Sequence, residues 1–191
     1  MNPQGDGALL RVMEKGGGLC AEQLEKISRA VWSSAELSLN EAAKKTLERM
    51  MDTLSTDFYG SWFTASGAAF LIVIPRTCGM RLTNRFTQDH VETIDMLDQR
   101  ESVALAEIAN ILVNSFVTAL AEILDEDMIV SAPTPMLDCT RDLLIQSLSK
   151  HSRPDRYAIA GLARLASQAM SSDLSIIMFL EPRVLIQLRG L

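Results

Sequence analysis

The longest unbroken helical pattern in the chain lies between residues 101 and 124, and it constrains the fold more than any other feature. Its apolar residues recur every three or four positions, as on the buried face of a helix, and no Gly or Pro interrupts them. These residues are Ala104, Leu105, Ile108, Ile111, Leu112, Phe116, Leu120, Ile123 and Leu124. The pattern predicts one long helix that packs into a core.

A narrow polar stripe follows the other face of this predicted helix. Glu107, Asn110 and Asn114 stand at i, i+3 and i+7, so their side chains point the same way. Most polar stripes opposite an apolar face are simply solvated. Spacing alone therefore predicts exposure for these residues and no particular chemistry.

A longer-range spacing gives the polar stripe a more specific interpretation. Glu107, Asn110 and Pro133 occur in the order E-x2-N-x22-P, with AEIAN and TALAEIL around the helix. This resembles the signature of the CheC/CheX/FliY family of chemotaxis phosphatases, which remove the phosphoryl group from a CheY-type response regulator. The resemblance implies an α+β, CheC/CheX-like fold, in which two long helices pack on an antiparallel β-sheet. It also implies a pseudo-twofold arrangement, here with a degenerate first half.

The resemblance gives Glu107 and Asn110 catalytic roles in a protein aspartyl-phosphate phosphatase, a hydrolase. Asn110 would hold the attacking water in line, and Glu107 would pair with the active-site lysine of the regulator. A carboxamide suits this task because its carbonyl accepts from water while its amide donates to a phosphoryl oxygen. We expect no cofactor or metal of the protein's own, since Mg²⁺ is expected in the partner response regulator.

The motif departs from the family pattern at three places. Val103 stands where Asp or Ser is common, Ala109 where glycine is usual, and residues 111–114 (ILVN) where the small-residue IGAG often follows. We expect bulkier residues on the docking face to weaken regulator binding or to change which regulator fits. An alternative is therefore a non-catalytic CheC-like interaction module that binds a response regulator, a flagellar switch component or a CheD-like partner. A purely structural, dimer-forming domain is a third hypothesis. The sequence does not separate flagellar chemotaxis from another two-component pathway.

Charge and composition exclude some classes of binding partner and indicate a cellular compartment. The net charge of −6 argues against nucleic acid and anionic membranes as partners. Nothing resembles a signal peptide, and we expect no apolar run of membrane-spanning length. Three isolated cysteines suit a reducing compartment. We expect a cytoplasmic protein whose partner is a phosphorylated CheY-like response regulator, with a CheD-like adaptor and a homodimer as further candidates.

Glycines 16–18 predict the end of a flexible N-terminal tail over residues 1–18. A single CheC-like domain is predicted over residues 19–191. Its degenerate first helical half spans 19–54, and the half that carries the motif spans 55–191.

A comparison of the two halves gives a possible internal repeat. With a shift of 81 residues, Lys26 falls opposite Glu107 and Arg29 opposite Asn110. The sequence therefore offers one candidate site.

The remaining elements follow from local periodicity and turn signals. Residues 157–170 are ambiguous, because propensity favours a helix and the resemblance favours a strand. We predict helices at 21–35, 39–54 (with Ser38 as N-cap), 80–86 and 136–150, and strands at 58–64, 68–74, 128–130 (ended by Pro133) and 174–180.

Overall fold

The computed structural model describes residues 7–41, 57–87, 99–140 and 156–190. Within them the chain forms four helices and six strands. Along the chain these are α1 (Gly7–Ser28), β1 (Ser33–Glu41), β2 (Asp57–Ala65), β3 (Ala68–Pro75), α2 (Arg76–Thr87), α3 (Gln99–Leu124), β4 (Thr134–Thr140), β5 (Ile159–Ser167), β6 (Ser172–Leu180) and α4 (Pro182–Arg189).

The strands form one sheet in the order β1-β5-β6-β3-β2-β4, and every neighbouring pair is antiparallel. The hairpins β2–β3 and β5–β6 meet at its centre, where Phe70 of β3 lies opposite Met178 of β6. Exchanging β1 with β4, β2 with β5 and β3 with β6 gives the same order read backwards. The sheet therefore has a pseudo-twofold axis between β3 and β6, and the predicted α+β, pseudo-twofold fold is confirmed.

The first hairpin shows how the sequence produces two buried faces. Successive side chains of a strand point to opposite sides. Tyr59 and Phe63 of β2 pack in the core that includes the long helices, whereas Phe58 and Trp62 belong to a separate buried cluster. Gly67 makes the turn with a φ of 72°, a left-handed conformation that favours glycine.

The long helices α1 and α3 pack closely because one of them lacks a side chain at the contact. A Cβ on Gly16 would lie 2.5 Å from Cδ1 of Phe116. One turn further along α1, the Cys20 thiol donates to the carbonyl oxygen of Leu112 at 3.2 Å. All four residues are buried. Leu112 stands 96 positions after Gly16, and Phe116 stands 96 after Cys20, so each contact is the symmetry counterpart of the other.

The ends of the two helices support the same correspondence. Arg29 and Asp125, also 96 positions apart, follow α1 and α3 with left-handed backbones of φ 55° and 53°. The buried positions of α1 coincide with buried positions of α3 after this shift along most of their length. The helices α1 and α3 are therefore related by a shift of 96 residues.

The predicted shift of 81 residues is wrong. A shift of 96 residues places Arg11 and Glu14 at the motif positions of the first half, instead of Lys26 and Arg29. The two shifts differ by about four helical turns, so both align apolar residues with apolar residues. The first half lacks the Glu and Asn pair in either case.

The predicted N-terminal tail is wrong for residues 7–18, which form the first part of α1. The glycine triplet suggested a chain break, yet Gly16 and Gly17 are buried. A Cβ on Gly17 would lie 2.8 Å from Oγ of Ser34 in β1. Close packing outweighs the helix-propensity penalty of about 1 kcal/mol per glycine. Residues 1–6 lie outside the described part of the chain.

The helix predicted at 21–35 is confirmed for residues 21–28, which end α1, and is wrong beyond them; the helix predicted at 39–54 is wrong for residues 39–41. α1 ends at Ser28, and β1 follows at Ser33–Glu41, so Ser38 lies inside a strand and caps no helix. Residues 42–54 lie outside the described residues. The local composition favours a helix, but pairing of Leu37 with Ala163 of β5 determines the conformation.

The segment after α3 also differs from the prediction. Residues 128–130 form no strand, and Pro133 precedes β4 where it was expected to end a strand. The Ser131 N–H donates to the Thr64 carbonyl at 2.8 Å, and the Thr64 N–H donates to Oγ of Ser131 at 3.0 Å. These bonds attach the irregular segment to the end of β2.

The predicted helix at 136–150 is wrong for residues 136–140, which belong to β4, and its remainder lies outside the described residues. Residues 157–170 contain β5, as the resemblance favoured. The strands predicted at 58–64, 68–74 and 174–180 and the helix predicted at 80–86 are confirmed with longer bounds.

Among the helices that the structure describes, one is long and apolar enough to cross a membrane, although no such run was expected. It is Ser102–Leu124 of α3, and 61% of its most apolar window is buried inside the protein. Core helices of soluble proteins satisfy the same criterion, and α3 packs against α1. The length and apolar character of this helix are therefore only weak evidence that it spans a membrane.

Candidate functional site

Glu107 and Asn110 project from the same side of α3, about one turn apart. Glu107 is exposed and Asn110 is half-buried, whereas Ile108 and Ala109 between them are 0% and 1% exposed. The helix is thus anchored by the residues between the motif positions. A partner can reach the motif side chains without any rearrangement of the core.

Asn114 holds Asn110 in place. Its Nδ2 donates to the backbone carbonyl of Asn110 at 2.8 Å and to the Asn110 Oδ1 at 3.2 Å. An amide oxygen has two lone pairs, so Oδ1 can still accept from a water, and the Nδ2 of Asn110 is not used in this bond. The sequence placed Asn114 in the stripe but assigned it no role, although its i, i+4 spacing from Asn110 was visible.

Val103 extends the exposed side of α3 by one turn. It lies four residues before Glu107, and 67% of it is exposed. Val103 is therefore a departure from the family pattern that alters the surface next to the motif.

The other departures alter the core. Ala109, Leu112 and Val113 are at most 1% exposed, so they make no part of a docking face. The expectation that bulkier residues here change the docking face is therefore wrong for these three. Their extra volume packs inside, against the sheet and α1.

The equivalent side of α1 carries charged residues. Arg11 and Glu14 occupy the positions that correspond to Glu107 and Asn110, and both are exposed. Their neighbour Lys15 forms an ion pair with Glu122 of α3. The first half thus presents no carboxamide at its motif position.

The described thiols are poor nucleophiles. Cys20 and Cys78 are buried, and burial raises both pKa values, that of Cys78 to about 12. Both thiols are protonated at neutral pH, and a protonated thiol is unreactive. Among the described residues, no group of three or more His, Cys, Asp or Glu is placed to hold a metal ion. The motif positions of α3 offer the hydrogen-bonding groups of Asn110 and the carboxylate charge of Glu107.

Comparison with known proteins agrees with the motif. The CheC-like family model matches residues 103–136, which include Glu107, Asn110 and Pro133. Over this segment the chain is similar to CheC-like proteins. No curated protein matches the sequence significantly.

Solved structures with a similar fold include FliY, FliM and CheX proteins. FliY from Thermotoga maritima has a TM-score of 0.69 at 12% identity, over 100% of this chain and 96% of that one. FliM from H. pylori, solved in a FliM–SpeE complex, has a TM-score of 0.71 at 9% identity, over 100% of this chain and 97% of FliM. CheX from Vibrio vulnificus has a TM-score of 0.64 at 11% identity, over 89% and 99%. At these identities the similarity establishes the fold.

Proposed function

We propose that this protein hydrolyses the aspartyl phosphate of a CheY-type response regulator. The observation that carries the proposal is that the exposed Glu107 and the half-buried Asn110 lie on one side of α3, inside the segment that the CheC-like family model matches. A regulator's active site is recessed, and a rigid helix can present both side chains to it together. The half-buried position of Asn110 limits its motion without sealing it from a partner.

Asn110 supplies the positioning that an acyl phosphate lacks. The regulator already provides the carboxylate leaving group and a Mg²⁺ ion that neutralises charge. An inserted carboxamide accepts a hydrogen bond from the attacking water and donates one to a phosphoryl oxygen. Positioning of this kind lowers the barrier without covalent chemistry, as in the water-orienting glutamine of GTPases.

Glu107 fixes the register of the docked helix. Its carboxylate is exposed and stands one turn before Asn110, where it would pair with the regulator's active-site lysine. An exposed ion pair contributes only about 0–1 kcal/mol, so its main effect is on orientation and encounter rate. Replacing Glu107 with Gln should therefore weaken docking by about fivefold or less, with a smaller dependence on salt.

The partner follows from the same chemistry. We propose a phosphorylated CheY-like regulator in the cytoplasm, which brings its own Mg²⁺. The structural relatives are chemotaxis proteins and a FliM in a complex with SpeE, which is consistent with a role among chemotaxis or flagellar components. A CheD-like adaptor and a second copy of the chain are further candidate partners.

The alternative is a module that binds the regulator without dephosphorylating it. The exposed Val103 at a position where the family has Asp or Ser supports this alternative, because it changes the surface next to Glu107. Both functions use the same side of α3. The hydrolysis rate is the observable that separates them.

The test is the decay of phosphorylated CheY-type regulators from the same genome, with and without this protein. We expect faster decay with the native chain, and loss of that acceleration with Asn110→Ala. Asn110→Asp keeps the size of the side chain but removes the amide donor and adds negative charge near the phosphoryl group. It should be equally inactive.

Glu14→Ala is the matched control, because Glu14 occupies the pseudo-symmetric position on α1 and is exposed. It should leave the acceleration unchanged. If no regulator decays faster but one binds, the enzyme hypothesis fails and the interaction module stands. If Asn110→Ala accelerates decay as well as the native chain does, the site has been assigned to the wrong residues.

A further inference from the structure

A second candidate site lies at the opposite end of α1 from its N-terminus. The end of α1, the helix α2 and the turn between β5 and β6 line an open cavity of about 700 Å³. Three arginines line it, one after α1 (Arg29) and two on α2 (Arg81 and Arg85). They come from distant parts of the sequence, so no linear motif pointed to them.

The guanidinium group of Arg81 is held in a fixed position. Its Nη1 donates to the carbonyl oxygens of Met170 and Ser171, each at 2.6 Å. Nη1 also lies 3.2 Å from Oγ of Ser172. These bonds use one of the three nitrogens of the group, and a guanidinium has five N–H donors. Arg81 is thus preorganised, with donor capacity on Nε and Nη2.

The cavity is basic in an acidic protein. The chain has a net charge of −6, yet among the described residues none of those that line the cavity is acidic. The acidic side chain on the adjoining strand β6, Asp173, is paired with Arg164 at 3.0 Å. All three arginines are exposed, so an anion can reach them from solvent, and their clustered positive charge attracts it.

Helix ends alone do not explain the arginines. Arg29 follows α1 and Arg85 lies in the last turn of α2, where cations interact favourably with the helix dipole. The pseudo-symmetric end of the molecule shows that the fold does not require this charge. Asp125 replaces Arg29 there, and Gln187, the sixth residue of α4, replaces Arg81, the sixth of α2. The basic cavity is a property of one half of the protein.

We propose that this cavity binds a phosphate-bearing small molecule. The planar guanidinium groups match phosphate oxygens in bidentate geometry. A volume of about 700 Å³ exceeds that of a bare phosphate and lies within the range of small-molecule sites. Ile27, Ala169 and Met170 add an apolar wall against which the organic part of the ligand packs.

The test is isothermal titration of the full chain with phenyl phosphate and AMP, and with inorganic phosphate as the fragment that lacks the organic part. We expect an organic phosphate to bind more tightly than inorganic phosphate. The double variant Arg29→Asn/Arg85→Gln should weaken that binding by about tenfold or more, because it removes two charged donors. Asn is chosen at position 29 because it tolerates the φ of 55°.

Arg183→Gln is the matched control, since it removes one exposed positive charge on α4 outside the cavity. It should leave the affinity unchanged. The proposal fails if neither organic phosphate binds, if inorganic phosphate binds as tightly as both, or if the double variant binds like the native chain. The same double variant should leave the decay of phosphorylated regulator unchanged, so this test and that of the proposed phosphatase activity have separate outcomes.

Discussion

The ring of Phe116 on α3 occupies the space that a side chain at Gly16 of α1 would need. A Cβ on Gly16 would be 2.5 Å from the ring's Cδ1. The same ring faces Phe70 of β3, with centroids 6.4 Å apart, so it cannot retreat without disturbing the sheet. This contact fixes how closely α1 approaches α3, and thereby holds the helix that carries Glu107 and Asn110.

Gly16→Ala should destabilise the protein although alanine is the better helix former. Overpacking a filled core costs about 1–3 kcal/mol, which exceeds the helix-propensity gain of about 1 kcal/mol. Urea unfolding followed by circular dichroism measures the change. Gly18→Ala is the control, since Gly18 is in the same helix with nothing within 4 Å of a built Cβ, and it should stabilise by about 1 kcal/mol.

The double variant Gly16→Ala/Phe116→Leu locates the cause. If the ring is the obstacle, the double variant is less destabilised than the sum of the two single changes. If the destabilisation of the double variant equals the sum of the two single changes, the contact with the ring is not the source of the destabilisation.

The sequence predicted the elements whose signal is local. The hairpin β2–β3 follows from its period of two and the turn at Gly67, and α3 from its unbroken apolar face. Prediction from the sequence failed where the contact that determines the structure is with a residue far away in the chain. Gly16 is helical because a ring on α3 fills the gap, and β1 is a strand because β5 pairs with it. Local propensity carries no information about either of these distant contacts.

The same division holds for the candidate site. The exposure of Glu107 and Asn110 follows from helical spacing, which is local. The arginine cavity combines the end of α1, α2 and the β5–β6 turn, so it appears only when the chain is folded. The burial of Ala109 also depends on tertiary packing, and this is why its departure from the family pattern was taken for a surface change.

The buried thiols should make the protein less stable at alkaline pH. Burial raises the pKa of Cys78 from 9.0 to about 12, so the folded state keeps a proton that the unfolded chain releases. The stabilising effect is complete below pH 9.0 and is lost as the pH rises toward about 12. The slope is at most about 1.4 kcal/mol per pH unit for one thiol.

Unfolding by urea between pH 8 and 11 measures this loss for native protein and for Cys78→Ala. The variant loses packing at every pH but should have a flatter profile, because its pH-dependent term is gone. Parallel profiles would show that this thiol does not titrate differently in the two states.

Val103→Asp tests the surface departure next to Glu107. Val103 is 67% exposed and lies in the second turn of α3, where an acid interacts favourably with the helix dipole, so stability should change by less than about 0.5 kcal/mol. If Val103 hinders regulator docking, the acid found in the family should accelerate decay of the phosphorylated regulator severalfold. Ile129→Asp, at an 85% exposed residue outside the motif, is the control. Equal effects of both variants would mean a general charge effect.

Asn114→Ala separates positioning from binding at the proposed site. Removing Nδ2 deletes its bonds to the backbone carbonyl and the Oδ1 of Asn110, at 2.8 and 3.2 Å, and frees the carboxamide to rotate. A net loss of about 1 kcal/mol corresponds to a fivefold slower hydrolysis rate at saturating protein, while the affinity for the regulator stays the same. Alanine is a better helix former than asparagine, so the variant should be at least as stable as the native chain and a slower rate cannot reflect unfolding.

Thr118→Ala, exposed one turn further along α3, controls for the change in helix surface. A variant that hydrolyses at the native rate would mean that Asn110 needs no support from Asn114.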